Sequence, residues 1–578
     1  MAGFRDLVAS RLSALTPASA VLLVPVAALL VYLGLVLYRL TFHPLARFPG
    51  PKLNAATRLP FLVQNNLQGT FIKTAAPKLH EEYGPMVRVA PDRLLVDGSI
   101  AFPEIFGRRP NESEFGKTVE FYGPERVGIF SAFREDHRRQ RRLMAHAFSE
   151  SALTEQEGYI KKYVDLFISR LKEKSASNGV PADMTQWFNF LTFDIIGELA
   201  FGDPFYSLEK SNYHPWIAMI FQSIKGVGLI MFLVNYPLLK PLILFIGGQT
   251  LEIKKQSRQL AAEKTDKRIA LGTETRKDFM TYILRNNKDG LGMSHGEILV
   301  NAEGFIIAGS ETTATALSGL IFHLGQNPEV YRILAEEVRG SWTSEEEITM
   351  KSTAPLQYLH ACLEEILRMY PPAAEIPPRV SPGAVINGQY IPKGTYITVS
   401  AWATFRSARN FTDPLQFKPQ RFLPQTHPLY ETRYANDNKA AFKPFSAGPR
   451  DCIGKNLAYA EMRLAIARLL WNFDMKLEQG QDDWVDKQRT FVVLTKAEEN
   501  QLQQRLQKRQ VKEFMNIFGN VVDHCFSSCI EDFTSKSLSS RETGCITRCV
   551  QKQMFSQQRL SERFQEHNAA MTAQMQNQ

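Results

Sequence analysis

The first 361 residues of this chain contain no cysteine, although the whole sequence of 578 residues has six. Four of the six lie between Cys525 and Cys549, and the other two are Cys362 and Cys452. This distribution excludes a disulfide framework for the first 500 residues. We therefore expect a long reduced body, followed by a compact tail whose cysteines suit an oxidising compartment.

The sequence also lacks a basic stripe with interleaved aromatic residues and any known DNA-reading motif. A nucleic-acid partner is therefore not expected, and the formal net charge of +9 points to an anionic lipid surface or an acidic protein partner. The body contains no internal repeat. The 31 prolines of the whole chain argue against a simple helical array, and the chain's length exceeds what one small core can organise.

Twenty consecutive residues near the N-terminus, Ala18 to Leu37, carry no charge. A helix of this length crosses the hydrocarbon of a bilayer, so we expect a transmembrane anchor. Arg39, Arg47 and Lys52 follow it, and this charge bias places the next domain in the cytosol. A cleaved signal peptide is the alternative, but the apolar run is long and lacks a clear cleavage site. The Phe48-Pro-Gly-Pro51 segment predicts a stiff link that orients the body.

Helical patterns dominate the body, with short strand patterns before and after them. Strands are predicted at Met86 to Val89, Leu94 to Val96, 389–391 and 395–399. Ser294 and Glu297 form a capping box, which predicts that a long central helix starts there and continues through Gly325. From about Lys496 the composition changes to a separate helical module without proline.

The strongest chemical motif is the string F-S-A-G-P-R-D-C-I-G, residues 445–454, followed by a helical run. Gly448 and Gly454 allow a tight turn that directs backbone amides at the sulfur of Cys452, and the following helix N-terminus favours a thiolate. The string resembles the haem-binding loop of cytochrome P450 enzymes. This resemblance implies a mainly α fold with small β-sheets, haem b as cofactor, and Cys452 as the axial ligand of the iron, with Phe445 in the same loop.

Further motifs match the same family. Glu365 and Arg368 resemble its Glu-x-x-Arg pair, which Arg421 joins in members of the family, and their spacing lets the two side chains meet on one helical face. The segment with Gly309, Glu311 and Thr312 looks like the family's oxygen-binding groove. The resemblance assigns dioxygen to the space at Gly309, proton relay to Glu311, and a hydroxyl contact with the bound oxygen to Thr312.

Haem propionates need cationic partners, and guanidinium groups suit carboxylates. By position, the partners are Arg450, Arg379 and Arg141, with His137 standing where the family commonly has tryptophan. The neighbouring Arg138 and Arg139 are interpreted as a solvated basic face that could dock an acidic reductase.

The segments from Tyr38 to Pro51 and from His146 to Ser149 are similar to fungal microsomal P450s of secondary metabolism, of the isotrichodermin-hydroxylase-like group. The resemblance implies a monooxygenase in the endoplasmic reticulum membrane with a cytosolic catalytic domain, using O2, NADPH-cytochrome P450 reductase and a hydrophobic small-molecule substrate. The expected pocket residues are those from Phe121 to Phe130, Phe305, Ile306 and Ala374 to Pro377. A non-oxidative haem isomerase is an alternative that Glu311 and Thr312 disfavour.

The tail carries two Cys-x-x-x-Cys pairs, at Cys525 and Cys529 and at Cys545 and Cys549. The spacing places each pair on one helical face, so a helical hairpin predicts disulfides Cys525–Cys549 and Cys529–Cys545, with zinc binding as the alternative. Residues 494–571 resemble the small Tim chaperones of the mitochondrial intermembrane space.

The predicted organisation is therefore an anchor (1–41), a P450 domain (42–493) and a small-Tim-like hairpin (494–578). The two parts need different redox conditions. Three readings follow: a genuine fusion, two neighbouring genes joined in one sequence, or a protein-import chaperone with small Tim partners and an inactive enzyme body.

Overall fold

In a computed structural model of the chain, the structure describes residues 17–109, 113–176, 181–236, 248–274, 276–287 and 292–491. Outside these ranges it describes the short pieces 239, 241, 243, 493–495, 541–545 and 548–549. The chain divides into two compact units, Met1–Thr495 and Lys496–Gln578.

Helices make up most of the first unit. In chain order they are α1 (Pro17–Thr41), α2 (Lys52–Ala56), α3 (Leu59–Leu62), α4 (Ala76–Tyr83), α5 (Gly98–Ala101), α6 (Val119–Tyr122), α7 (Arg134–Ala145), α8 (Glu150–Ala176), α9 (Met184–Phe201), α10 (Ser207–Lys210), α11 (Pro215–Val234), α12 (Gly248–Ala270), α13 (Phe279–Arg285), α14 (His295–Gln326), α15 (Pro328–Gly340), α16 (Gln357–Met369), α17 (Ala401–Phe405) and α18 (Lys455–Asn472).

Nine short strands form three small sheets within the described residues. They are β1 (Met86–Ala90), β2 (Arg93–Val96), β3 (Gly116–Lys117), β4 (Glu375–Val380), β5 (Ala384–Ile386), β6 (Gln389–Ile391), β7 (Tyr396–Ser400), β8 (Arg489–Phe491) and β9 (Val493–Thr495). The largest sheet has the order β1-β2-β7-β4-β3, while β5 pairs with β6 and β8 pairs with β9. The expected fold class, mainly α with small sheets, is confirmed.

Helix α14 is the central element of the body. Its N-terminus is the predicted capping box, with Ser294 and Glu297 each bonding the other's backbone amide. It packs closely on α9 because glycine replaces a larger side chain at the contact: a methyl group at Gly309 would lie 2.7 Å from Cδ1 of Ile196. Farther along, a methyl group at Gly319 would lie 2.6 Å from the ring of Tyr370. The long helix is thus held inside the core along most of its length.

Helix α1 carries the apolar N-terminal run. Its side chains are described from Pro25 onward, and most of them are exposed. Within the described residues, the helix that passes a length-and-hydropathy test for spanning a membrane is His295–Gln326, and Pro25–Thr41 is a shorter apolar helix. In His295–Gln326, 61% of the most apolar 18-residue stretch is buried, so this helix belongs to the core of the body.

The C-terminal end of the body packs against its middle. The ring of Trp484 stacks on Phe322 with 4.9 Å between centroids and lies 5.2 Å from Tyr370. The amide of Thr490 donates to the carbonyl of Gly69 at 2.9 Å, which joins β8 to the N-terminal part of the body. In the second unit, residues 541–545 and 548–549 are helical, and the rest of the predicted hairpin lies outside the described residues.

Candidate active site

The loop 445–454 presents Cys452 immediately before helix α18. The Cys452 amide donates to the carbonyl of Phe445 at 2.9 Å, and the Gly454 amide hydrogen-bonds to the Cys452 side chain. Gly448 has φ +76°, and a methyl group there would lie 1.9 Å from the carbonyl oxygen of Phe106. Only glycine therefore fits at this turn, as the sequence predicts.

Cys452 is accessible, and its thiol is partly desolvated. Cys452 is exposed, in contrast to the fully buried Cys362. Even so, burial raises the pKa of the Cys452 thiol, while the Gly454 amide and the charges of Arg141 and Lys455 lower that pKa. A thiol that is both accessible and partly desolvated can be approached by a bulky group.

One side of the central helix α14 is open. The residues on this side repeat every four positions, one per helical turn, and each is wholly or partly exposed: Val300, Gly304, Ala308 and Thr312. Ser310 and Ala314, on other sides of the same helix, are buried. A row of accessible, mostly small residues along a core helix suits the wall of a ligand site.

The three residues predicted for oxygen chemistry lie along this helix. The Thr312 hydroxyl belongs to the open side and donates to the carbonyl of Ala308 at 2.7 Å. Glu311 is buried beside it. Gly309 faces Ile196, so the structure gives this glycine a packing reason, and its role in making room for dioxygen stays a prediction.

An aromatic cluster joins α14 to the cysteine loop. The Phe148 ring lies 4.5 Å from Phe279 and 5.6 Å from Phe305. A methyl group at Gly454 would lie 4.0 Å from the same Phe148 ring. The helix with the open side and the loop with Cys452 are therefore held by one set of packed rings.

The predicted pocket residues are placed less well than the motif residues. Ile306 is fully buried, so the prediction that it lines the pocket is wrong. Phe305 belongs to the aromatic cluster. Ala374 and Ile376 are also buried in the core. The segment 121–130 fits better, because Phe130 is largely exposed and lies 5.1 Å from the ring of Tyr122.

The predicted cationic residues come together near the cysteine loop. Arg141 donates to the carbonyl of Asp451 at 2.6 Å and to its carboxylate at 2.5 Å. Arg379 donates to the hydroxyl of Tyr122 at 2.6 Å. Arg450 pairs with Glu114 and donates to the carbonyl of Ala132 at 3.0 Å.

His137 and Lys117 experience the summed field of these arginines. Burial, with the charges of Arg450, Lys117, Arg141 and Arg379, lowers the pKa of His137 to about 3. Burial, Arg450 and Arg379 lower the pKa of Lys117 to about 6. Three arginines, Arg141, Arg379 and Arg450, lie near two carboxylates, Glu114 and Asp451, and this leaves a positive excess that suits an anionic ligand.

Lys117 is a residue that sequence reasoning missed. It lies on β3, where it pairs directly across from Arg379 on β4. Its ammonium group also lies over the ring of Tyr122, 4.8 Å from the centroid. The two-residue strand gives no sequence signal, so this lysine could be found only from the fold.

The Glu-x-x-Arg pair forms a fully buried network beneath the site. Arg368 binds Glu365 through two bonds of 2.8 Å, and Arg421 lies 3.1 Å from the same carboxylate. Arg368 also donates to the carbonyl of Phe405, the last residue of α17, at 2.8 Å. Asp437, which the sequence reading missed, pairs with Arg421 and completes the charge balance.

The basic segment on α7 is only partly a free surface. Arg138 is 79% exposed and pairs with Glu135, as expected for a solvated face. Arg139 is 24% exposed, bonds Glu297 of the capping box, and donates to the carbonyl of Gly292 at 2.6 Å. The interpretation of Arg139 as part of a solvated basic face is therefore wrong, because it holds the start of α14.

The model of the family described as Cytochrome P450 matches residues 55–503. The chain belongs to the cytochrome P450 family. It is 42% identical over 467 residues to cytochrome P450 monooxygenase astJ of Aspergillus oryzae, covering 80% of this chain and 92% of the relative. It is 39% identical to the averantin hydroxylase of Dothistroma septosporum, with coverages of 82% and 89%. The trichothecene C-15 hydroxylase of Fusarium sporotrichioides is also 39% identical, with coverages of 80% and 94%.

As a cytochrome P450 monooxygenase, the chain uses a haem bound through a cysteine thiolate, and its site residues fit that group. The accessible sulfur of Cys452 can bind the iron. The small residues on the open side of α14 would leave room for the haem. The cationic excess at Arg141, Arg379, Arg450 and Lys117 can neutralise the propionates.

The tail matches a different family model. The Tim10/DDP family zinc finger matches residues 503–566. Cys545 and Cys549 are both disulfide-bonded, which leaves neither as a free thiolate for zinc. The predicted pairing of these two with Cys525 and Cys529 lies outside the described residues and stays a prediction.

Proposed function

We propose that this chain hydroxylates a hydrophobic small molecule of fungal secondary metabolism, with electrons from NADPH-cytochrome P450 reductase. The observation that carries this proposal is the open side of α14, Val300 to Thr312, whose small and apolar residues suit an apolar substrate beside the haem face. Two of the relatives are named as hydroxylases, of averantin and of a trichothecene.

The overall reaction converts R-H, O2, two electrons and two protons into R-OH and water. When bound, the haem supplies dioxygen activation under the influence of its thiolate ligand. The protein must deliver protons to one oxygen atom while it keeps bulk water away. The Thr312 hydroxyl, on the open side, can exchange its bond to the Ala308 carbonyl for one to the bound oxygen, and the preceding residue, Glu311, can relay protons to it.

The role of Thr312 is tested by its hydroxyl. Thr312→Ala should keep the thiolate-type spectrum but consume several NADPH for each product formed, because protons then reach the wrong oxygen, whereas Thr312→Ser should remain coupled. Product formation by Thr312→Ala without loss of coupling would contradict the assignment. Turnover without NADPH would instead support a haem isomerase.

The substrate class is tested in the native organism. Deleting the gene should remove one hydroxylated apolar metabolite and accumulate its unhydroxylated precursor in extracts compared by mass spectrometry. The purified protein should then bind that precursor and convert it with reductase and NADPH. A deletion strain whose apolar metabolites are unchanged would contradict the proposal.

We propose that α1 anchors the protein in the endoplasmic reticulum membrane, with the catalytic domain in the cytosol. The 25 residues of Pro17–Thr41 span about 37 Å as a helix, which exceeds the ~30 Å hydrocarbon of a bilayer. The described apolar side chains of this helix are largely exposed, as lipid contact requires. Resistance to carbonate extraction tests the anchor.

We propose that the P450 domain spans residues 42–493 and that residues 494–578 form a chaperone module of the small Tim type, able to bind small Tim partners. The family match and the oxidised Cys545 and Cys549 favour this second function for the tail. An immunoblot of the native organism distinguishes the origins: one species near 65.6 kDa supports a fused chain, and two smaller species support two joined genes.

A further inference from the structure

The segment between α6 and α7 crosses the N-terminal half of α14. Its residue Gly128 lies directly against that helix, because a methyl group there would lie 2.7 Å from Cγ1 of Val300, the first residue of the open side. The amides of Ser131 and Ala132 both donate to the Gly128 carbonyl, at 2.9 and 2.8 Å, and turn the chain at this contact. The segment therefore lies beside the open side of α14.

A buried asparagine of α14 holds the backbone of this segment. Asn301 is 3% exposed, and its side-chain oxygen accepts a bond of 2.8 Å from the amide of Ile129. Its side-chain amide donates at 3.0 Å to the side-chain oxygen of Gln140 on α7. Gln140, which is fully buried, donates in turn to the carbonyl of Val127 at 2.7 Å. Two side-chain amides thus fix the backbone on both sides of Gly128.

These two side-chain amides are connected to the start of α14. Gln140 also donates to the carboxylate of Glu297 at 2.9 Å. Glu297 is the capping-box residue that pairs with Arg139. Hydrogen bonds therefore run without a break from the helix cap to the segment, and a buried polar network of this kind favours one geometry.

The residue that this arrangement presents is Phe130. Its carbonyl accepts a bond from the ammonium group of Lys117, so its backbone is held from the side of β3 as well. Phe130 is nevertheless 57% exposed, with its ring 5.1 Å from the ring of Tyr122. An exposed aromatic ring on a firmly held backbone offers an apolar ligand a contact of fixed position.

We propose that Asn301 is a positioning residue of the substrate pocket: with Gln140 it fixes residues 127–130, so that Phe130 forms a wall of constant position. The proposal rests on the proposed function, since it requires an apolar substrate to bind along the open side of α14. Packing alone is already provided by the side chain of Ile129, which lies against a buried apolar cluster. The hydrogen bonds add a defined place for the segment, and that place determines which ligands fit.

Hydrogen–deuterium exchange of the haem-loaded full chain tests the bonds to the segment. Asn301→Ala leaves the Ile129 amide without its acceptor, so deuterium uptake in peptides from residues 123–133 should rise. Asn301→Ser is the second variant, because its hydroxyl can bond the carbonyl four residues back, as Ser310 and Ser318 do on the same helix. Each variant must first show the thiolate-type spectrum with CO. Unchanged uptake in both variants would overturn the proposal.

Titration with clotrimazole and with imidazole, followed by the shift of the Soret band, tests the pocket. Both ligands bind haem iron through nitrogen, and clotrimazole also carries three aryl rings. In Asn301→Ala its affinity should fall roughly tenfold, because the segment must then be ordered on binding. The affinity for imidazole should change by less than about twofold, because so small a ligand makes few contacts with pocket walls. Phe130→Ala should show the same selective loss.

Two further variants separate positioning from stability. Asn301→Asp should restore the wild-type uptake and clotrimazole affinity at pH 6, because burial favours the neutral carboxyl, which can accept from Ile129 and donate to Gln140 as asparagine does. Asn410→Ala removes another buried asparagine, which donates to the carbonyl of Thr404 at 3.1 Å. That control should lower the melting temperature without changing the affinity for either ligand.

Three results would overturn the proposal. Equal losses of affinity for clotrimazole and imidazole in Asn301→Ala would indicate a general effect on the haem. Raised uptake with unchanged clotrimazole affinity would show that the segment does not shape the pocket, and so would an unchanged clotrimazole affinity in Phe130→Ala. The titration uses neither reductase nor the native metabolite, so an unchanged deletion strain would contradict the proposed function and leave this result as measured.

Discussion

At the scale of single residues, the site depends on a few positions where backbone geometry leaves no alternative. Gly448 is one of them, since its φ of +76° and the carbonyl of Phe106 both exclude a side chain. Gly480 has a similar φ of +80°, but within the described residues a methyl group there would meet nothing within 4 Å. A comparison of alanine variants at these two glycines therefore separates the effect of a left-handed backbone from the effect of a steric clash.

We expect Gly448→Ala to abolish haem incorporation, because the added methyl must displace the cysteine loop from Phe106. Gly480→Ala should cost only about 1 to 2 kcal/mol of stability from the left-handed backbone. The fraction of purified protein with a thiolate-type CO spectrum measures the difference. Equal haem contents in the two variants would contradict the account of the loop.

Lys117 provides a pH-dependent test of the propionate site. Because its pKa lies near 6 in the protein without haem, the lysine is mostly neutral above that pH. A propionate beside it would restore the charge, so haem binding would take up a proton. Haem affinity should then be highest below about pH 6 and fall by up to about tenfold per pH unit above it.

Haem transfer to apomyoglobin, followed from about pH 6 to 9, measures this dependence. Lys117→Met should hold haem more weakly at low pH and lose most of the pH dependence. Lys117→Arg should hold haem well with a flat pH profile, because arginine stays charged. Lys393→Met, at an exposed lysine, is the control. An unchanged slope in Lys117→Met would contradict the role of this lysine.

At the scale of elements, the start of α14 shows what a local motif reveals and what it omits. Ser294 and Glu297 predict the cap correctly, because a capping box depends only on residues three apart. The bond between Glu297 and Arg139 joins residues 158 positions apart, and no local pattern indicates it. The sequence alone therefore indicates a surface position for Arg139, which the structure contradicts.

Charge reversal should affect the two neighbouring arginines of α7, Arg138 and Arg139, in different ways. Arg139→Glu should destabilise the protein by about 2 kcal/mol, because it places a carboxylate against Glu297 and leaves the Gly292 carbonyl without its donor. Arg138→Glu should change stability by less than about 0.5 kcal/mol. If this face docks the reductase, Arg138→Glu will instead slow reduction of the haem.

Thermal unfolding of the haem-loaded proteins measures the stability, and stopped-flow reduction measures the electron transfer. Equal melting temperatures for the two variants would contradict the structural role of Arg139. An unchanged reduction rate in Arg138→Glu would show that Arg138 does not contribute to reductase docking.

At the scale of the whole molecule, sequence motifs identify the haem side of the enzyme better than the substrate side. Cys452, the Glu365–Arg368 pair and the arginines predicted for the propionates all lie in short motifs with fixed local spacing. The structure shows the turn at Cys452 and the Glu365–Arg368 ion pair, and the role of the arginines toward the haem stays a prediction. The pocket depends instead on which side of a long helix faces the core. Ile306 is buried and Ala308 is exposed, although they are two positions apart.

The small strands show the same limit. The strand patterns around Met86, Leu94 and Gln389 are confirmed as β1, β2 and β6. β3 and the proline-containing β4 were not predicted, because their pairing is between residues more than 250 positions apart. Lys117 and Arg379 meet through that pairing, so sequence motifs alone do not reveal this part of the predicted propionate site.

The central claim is that the sulfur of Cys452 binds the haem iron of this chain directly. The most direct measurement is the difference spectrum of the reduced, CO-bound full chain and of its Cys452→Ala variant. The account predicts a thiolate-type Soret band in the wild type and its loss in Cys452→Ala. A Cys362→Ala control should retain the band, because Cys362 is a buried core thiol. A Cys452→Ala protein that keeps the same band and turnover would contradict the account.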